Sequence, residues 1–263
     1  LALGIGIESS SFINVMPRVA VRTAAGLAPN AILDTAGAKR LALNEGVDVV
    51  LSGRSEPARG GYRLRIVAEA GKVIDGAPLF DFQRELPPDD RLLVALGRLA
   101  AEIRAAFGDQ EAQPTRIRAN EARSFSSLQS ARGYVAALQH VRLGQPDAAL
   151  AQLTRLTADD PSSARAWILL SLLLNTTPDE HEQAHKTAMA NMATLTEREQ
   201  LRLRAADAVR SQDPAAAIHL YESLLSRFPG DPSALSNLAL AAFNQRDFAK
   251  ATTLGETSAR LFS

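Results

Sequence analysis

The chain has 263 residues, 46% of them hydrophobic and 22% charged, and its 29 basic and 29 acidic side chains cancel to a formal charge of +0. That is an ordinary globular composition for one or two domains, and it offers nothing electrostatic to a nucleic acid or an anionic membrane. Cysteine is absent, which removes thiol catalysis, disulfides and thiolate zinc sites, and the longest apolar run, Trp167 to Leu174, is far short of the ~20 residues that cross a bilayer.

The opening LALGIGIESS reads as the end of a helix whose beginning is missing, so the chain is expected to be a piece of a longer protein. Phe12, Ile13, Val15 and Met16 form a strand-like run stopped by Pro17. A short helix follows around Val19 to Leu27. Pro29-Asn30 then opens a longer one through Ile32, Leu33, Ala36, Leu41 and Leu43, closed by Gly46.

Here the period changes from helical to strand-like. Val47, Val49, Val50 and Leu51 make a buried strand that runs on to Glu56 and into the turn Pro57-Ala58-Arg59-Gly60-Gly61. Tyr62, Leu64, Ile66 and Ala68 then alternate with Arg63, Arg65 and Glu69, and Leu79 to Leu86 supply a third strand. Three strands in hairpin order predict an antiparallel meander. Asp89 or Asp90 caps a helix with apolar positions Leu92, Leu93, Leu96, Leu99, Ile103 and Phe107, which covers the sheet. The expected result is a small α+β domain over residues 1–110, truncated at its N-terminus, with a polar linker over residues 111–123.

From residue 124 to 263 only helical periodicity survives, in pairs of helices separated by tight turns. Gly144-Gln145-Pro146, Gln212-Asp213-Pro214 and Pro229-Gly230-Asp231-Pro232 stop one helix and start the next. Self-similarity at ~34 residues is the signature of tetratricopeptide repeats, with Trp167, Leu170 and Ser171 at the Trp-Leu-Gly positions and Ala217 and Tyr221 at the Ala-Phe positions. About three to four helix pairs are expected, forming an all-α solenoid.

The chain resembles the C-terminal region of bacterial membrane-anchored signalling proteins, chiefly serine/threonine kinases and some adenylate-cyclase-like regulators. The segments that carry the resemblance are SSFINVMPR (Ser10 to Arg18), GVDVVLSGR (Gly46 to Arg54), DDRLLVALGRLAAEIRAAFG (Asp89 to Gly108), TEREQLRLRAA (Thr196 to Ala206) and DPSALSNLALAAFNQRDFAKA (Asp231 to Ala251). The resemblance implies a kinase or cyclase domain and a membrane anchor upstream, and an extracytoplasmic or periplasmic setting for this part. It carries over no catalytic residue.

One motif asks for chemistry. His181-Glu182-Gln183-Ala184-His185 fits H-E-x-x-H, whose two His share a helix face and bind zinc while the Glu acts as base. Glu197 or Glu199 could serve as third ligand. Charged neighbours on both sides favour a solvated helix over a metalloprotease core, so no cofactor or metal is expected. Asp89/Asp90, Asp159/Asp160 and Asp179/Glu180 sit beside Pro at helix ends, where capping explains them.

Stacked hairpins instead offer a groove lined by the first helix of each pair. By register its candidate partner-binding residues are Arg165, Ile168 and Leu172, then Arg202 and Arg210, then Ser236, Asn237, Leu240 and Asn244. The expected function is a non-catalytic module that holds a protein, a peptide or a second copy of itself, with the Arg and Asn members clamping a carboxylate or backbone. The alternatives are a zinc-dependent hydrolase built on His181 and His185, and a structural spacer or dimerisation arm.

Overall fold

The structure, a computed structural model, describes residues 1–16, 18–27, 31–71, 76–109, 125–174 and 177–262. Twelve helices and one three-stranded antiparallel sheet make up these residues. By contacts they group into two units, Val15–Ala95 and a second comprising Leu1–Asn14 with Leu96–Leu261. The expected boundary near residue 110 and the linker over residues 111–123 lie outside the described residues.

The first unit is built on strands β1 (Val49–Ala58), β2 (Gly61–Ala70) and β3 (Phe80–Leu86) in the order β1-β2-β3, a meander as the alternation requires. In this register Leu51 lies opposite Ala68 and Ile66 opposite Phe82. Ile66 and Ala68 therefore share the buried face, while Arg63 and Arg65 on the other face reach Glu85 at 3.2 Å and Asp81 at 2.6 Å. The β1–β2 turn is shorter than expected. Pro57 and Ala58 stay paired in the strand, which an edge strand tolerates, and Gly60 at φ +80° makes the reversal.

Helix α2 (Arg18–Ala24) falls where the sequence places one, but α3 (Thr35–Asn44) starts later than expected. Its start is fixed by Asp34, whose carboxylate accepts the Gly37 N–H at 2.7 Å, and Ile32 lies outside it and fully in solvent. The opening at Pro29-Asn30 is outside the described residues. Lys39 of α3 meets Glu69 of β2 at 2.7 Å, both nearly buried. The strand expected over Phe12 to Met16 does not form. Phe12 is half-exposed, and its N–H is drawn back to the Ser10 hydroxyl, a local turn that competes with an extended chain.

The second unit contains α1 (Ala2–Glu8), most of α4 (Arg91–Ala106) and four helix pairs. The pairs are α5 (Leu128–Arg142) with α6 (Pro146–Asp159), α7 (Ala164–Leu173) with α8 (Pro178–Ala190), α9 (Glu197–Arg210) with α10 (Pro214–Arg227), and α11 (Pro232–Asn244) with α12 (Phe248–Phe262). Each of α6, α8, α10 and α11 begins on a proline, which lacks only an N–H that the first turn leaves unbonded. The chain reverses through left-handed residues at Gly144, Gln212 and Arg246. Helix α8 ends at Ala190, where Asn191 turns the chain into a 3-10 turn over Met192–Thr194.

Small residues set the spacing within the pairs. Ala137, Ala149, Ala166 and Ala188 have no exposed surface, so neighbouring backbones approach closely around Leu153, which is also fully buried. Ala137, Leu153, Leu156, Ala166 and Leu170 form one cluster, and Ala164, Ala188, Leu195 and Leu203 the next. Trp167 packs on both, and a third cluster around Ala217, Tyr221, Leu224 and Leu238 continues the core through the later pairs.

Candidate docking groove

Large apolar side chains left in solvent are concentrated on the first helix of each pair. Among the described residues from 125 onward they are Val135 and Val141 on α5, Leu172 on α7, Val209 on α9, and Leu240 and Phe243 on α11, with Phe248 alone on a second helix. Their positions repeat. Val209 and Phe243 are one repeat of ~34 residues apart, Val141 lies three repeats before Phe243, and Leu172 lies two repeats before Leu240. Leu240 and Phe243 are three residues apart on one helix, hence on one face. Equivalent positions of stacked repeats face the same way, so these side chains form a stripe along the array.

Leu172 is 63% exposed and Leu240 58%. Ser236 and Asn244 are also exposed, while Asn237 is half-buried and donates to the Ser233 carbonyl at 2.8 Å. Ile168 is turned inward and packs on the cluster containing Leu195 and Leu203.

The three arginines are occupied within the chain. Arg165 is buried, gives two hydrogen bonds to Glu199 at 2.7 and 2.5 Å, and lies over the Phe125 ring at 5.5 Å. Burial alone would push the Glu199 carboxyl up; the Arg165 charge, with hydrogen bonds from Arg165 and Thr196, outweighs it and holds Glu199 below the usual range. Arg202 reaches Asp231 at 2.7 Å, and Arg210 pairs with Asp207 at 2.9 Å and with Glu182. A free carboxylate clamp is therefore not what the arginines of this surface present.

Val135, Val141, Val209 and Phe243 escaped the sequence reading. Phe243 is found from Leu240, three residues away on the same helix face, and the repeat offset carried back from Phe243 reaches Val209 and Val141.

The two histidines of the HEQAH stretch are likewise engaged. His181 Nδ1 donates to the Ser171 carbonyl at 2.8 Å, and His185 Nε2 donates to Asp207 Oδ1 at 2.9 Å, with the rings 6.5 Å apart. Each thereby joins α8 to a neighbouring first helix, α7 or α9. Glu199 is committed to Arg165 and to the capping box with Thr196, and Glu197 to Arg227. Among the described residues no three His, Cys, Asp or Glu side chains converge as a metal site.

A tetratricopeptide repeat model matches residues 134–184 and 202–262, the stretches that carry the first two and last two helix pairs. One similar solved chain comes from the crystal structure of the APC/C hetero-tetramer Cut9-Hcn1. It is 15% identical, with a TM-score of 0.40, over 64% of this chain and 35% of that one. This chain thus spans about a third of the length of that one, by the same 35%. No curated protein matches the chain. Among the described residues no helix is long and apolar enough to cross a membrane.

Proposed function

We propose that this chain is a non-catalytic interaction module whose helix pairs hold a segment of another protein against the stripe on their first helices. The observation that carries this reading is the recurrence of exposed Leu172, Val209, Leu240 and Phe243 at the period of the repeat. An apolar residue that only happened to be exposed would not return at equivalent positions; scattered single ones need no explanation, whereas an aligned row does. The tetratricopeptide-repeat matches support the same reading.

Because Arg165, Arg202 and Arg210 already carry partners, apolar contact and the polar side chains of Ser236 and Asn244 are what the groove offers. The resemblance of Gly46 to Arg54 and of Thr196 to Ala206 to bacterial kinase- and cyclase-linked regions supports placing the module beside such an output domain. The hydrogen bonds of His181 and His185 favour structural duties for both over a zinc hydrolase.

The test is affinity capture with the whole chain, comparing wild type with Leu172→Asp and Leu240→Asp. A partner retained by wild type and lost from both variants, at unchanged circular dichroism and melting temperature, supports the reading. Retention of every partner by both variants overturns it.

A further inference from the structure

Residues 1–14 lie against the repeats, although 190 positions of sequence separate Glu8 from Arg198. Arg198 Nη1 donates to the carbonyl of Glu8 at 3.1 Å, satisfying a main-chain acceptor that the end of α1 leaves unbonded. Gly230, before α11, is pressed against Asn14, since a Cβ on it would lie 2.0 Å from Asn14 Oδ1. On the other side of α1, Gly6 faces Ala100 of α4 so closely that a Cβ would come within 2.5 Å of the alanine methyl. Ile7 and Ser10 are 4% and 1% exposed.

We propose that the N-terminal ends of α9 and α11 form a peptide seat, filled in this chain by its own residues 1–14, for which an outside peptide of the same chemistry competes. This rests on the reading of the repeats as a peptide-holding array and adds a second, self-occupied subsite to it. The chemistry recognised is a short helix of small and aliphatic residues, LALGIGI, closed by an acidic residue and a serine-rich turn. Glycine is needed where the helix meets α4, and a main-chain carbonyl where it meets Arg198.

The Glu8 carboxyl lies in a cluster with Arg202, Arg198, Glu199 and Asp231; burial raises its pKa, and the two arginines pull it back only in part. A segment tethered to its own seat acts at an effective concentration on the order of mM, so it excludes a free peptide present at micromolar levels. The seat is therefore closed to outsiders until the segment leaves.

The test uses the full chain carrying Gly6→Leu, which cannot pack against Ala100, and a fluorescein-labelled peptide LALGIGIESSSFIN. Hydrogen exchange over residues 1–14 reports whether the segment has left, and anisotropy reports peptide binding. The expected result is lost protection together with peptide binding at least tenfold tighter than to wild type, abolished when the peptide itself carries Gly6→Leu. Release without tighter binding overturns the proposal, and so does a segment that stays protected. Ile7→Asp provides the same measurement should Gly6→Leu disturb the fold. Capture by the apolar stripe is scored with Leu172→Asp and an outside partner, so either idea can fail while the other stands.

Discussion

The Arg198 guanidinium meets the Asp231 carboxylate at 2.9 Å at a point where the aspartate has no exposed surface. Asp231 also accepts from Arg202 at 2.8 Å and from the Ala234 N–H at 3.0 Å, so one carboxylate joins α9 to the start of α11. Replacing it with Asn leaves two guanidinium groups without their counter-charge. Asp231→Asn is expected to lose about 3–5 kcal/mol, the range for breaking a buried pair, as read from urea unfolding midpoints.

The same carboxylate sets a pH dependence. Burial pushes Asp231 up, but the Arg202 charge and the hydrogen bonds from Arg202, Ala234 and Arg198 outweigh it and hold it below its ordinary value. A folded pKa beneath the unfolded one, about 3.9, gives stability that is intact above that value and is lost as pH falls through the folded pKa. Unfolding midpoints between pH 3 and pH 6 are expected to fall steeply at the acid end in wild type. In Asp231→Asn that part of the slope is expected to be absent.

Gln212 at φ 57° and Arg246 at φ 62° hold the left-handed turn that Gly144 makes at φ 66°. A side chain there clashes with its own backbone, and glycine does not. Gln212→Gly and Arg246→Gly are each expected to stabilise by roughly 0.5–1 kcal/mol, visible as a raised melting temperature. A fall in both would show the turns to be held by side-chain contacts instead.

His185 is buried with its Nε2 on Asp207. His185→Ala is expected to cost about 1–3 kcal/mol through the lost hydrogen bond to Asp207 and the lost packing. Added zinc is expected to leave the melting temperature of wild type unchanged. Equimolar zinc in the purified protein, lost in His181→Ala, would restore the hydrolase reading.

Leu153 and Leu172 are both leucines of helix pairs, with opposite surroundings. Leu153 is fully buried, so Leu153→Ala is expected to cost about 2–5 kcal/mol. Leu172→Ala is expected to stay within about 0.5 kcal/mol of wild type. The contrast, measured by denaturant unfolding, separates core from stripe.

The helical periods of Ala217, Tyr221, Leu224 and Leu238 and the prolines at helix starts were legible because each depends on residues a few positions apart. The meander was legible for the same reason. Of the exposed apolar row only Leu172 and Leu240 were legible, because repeat register is a local pattern too. What did not show was the fate of Arg165, Arg202 and Arg210: their partners Glu199, Asp231 and Glu182 lie about a repeat away, and charge alone does not tell a clamp from an internal tie. Nothing in ALGIGIE announces that it ends on Arg198.

A row of helix pairs in which each touches only the next ordinarily frays from its free end, one pair at a time. Residues 1–14, fastened to Arg198 of α9, to Gly230 before α11 and to Ala100 of α4, join the later pairs to a helix outside the row. Heating should therefore melt α4 and the last two pairs together, and cutting that one tether should let them part.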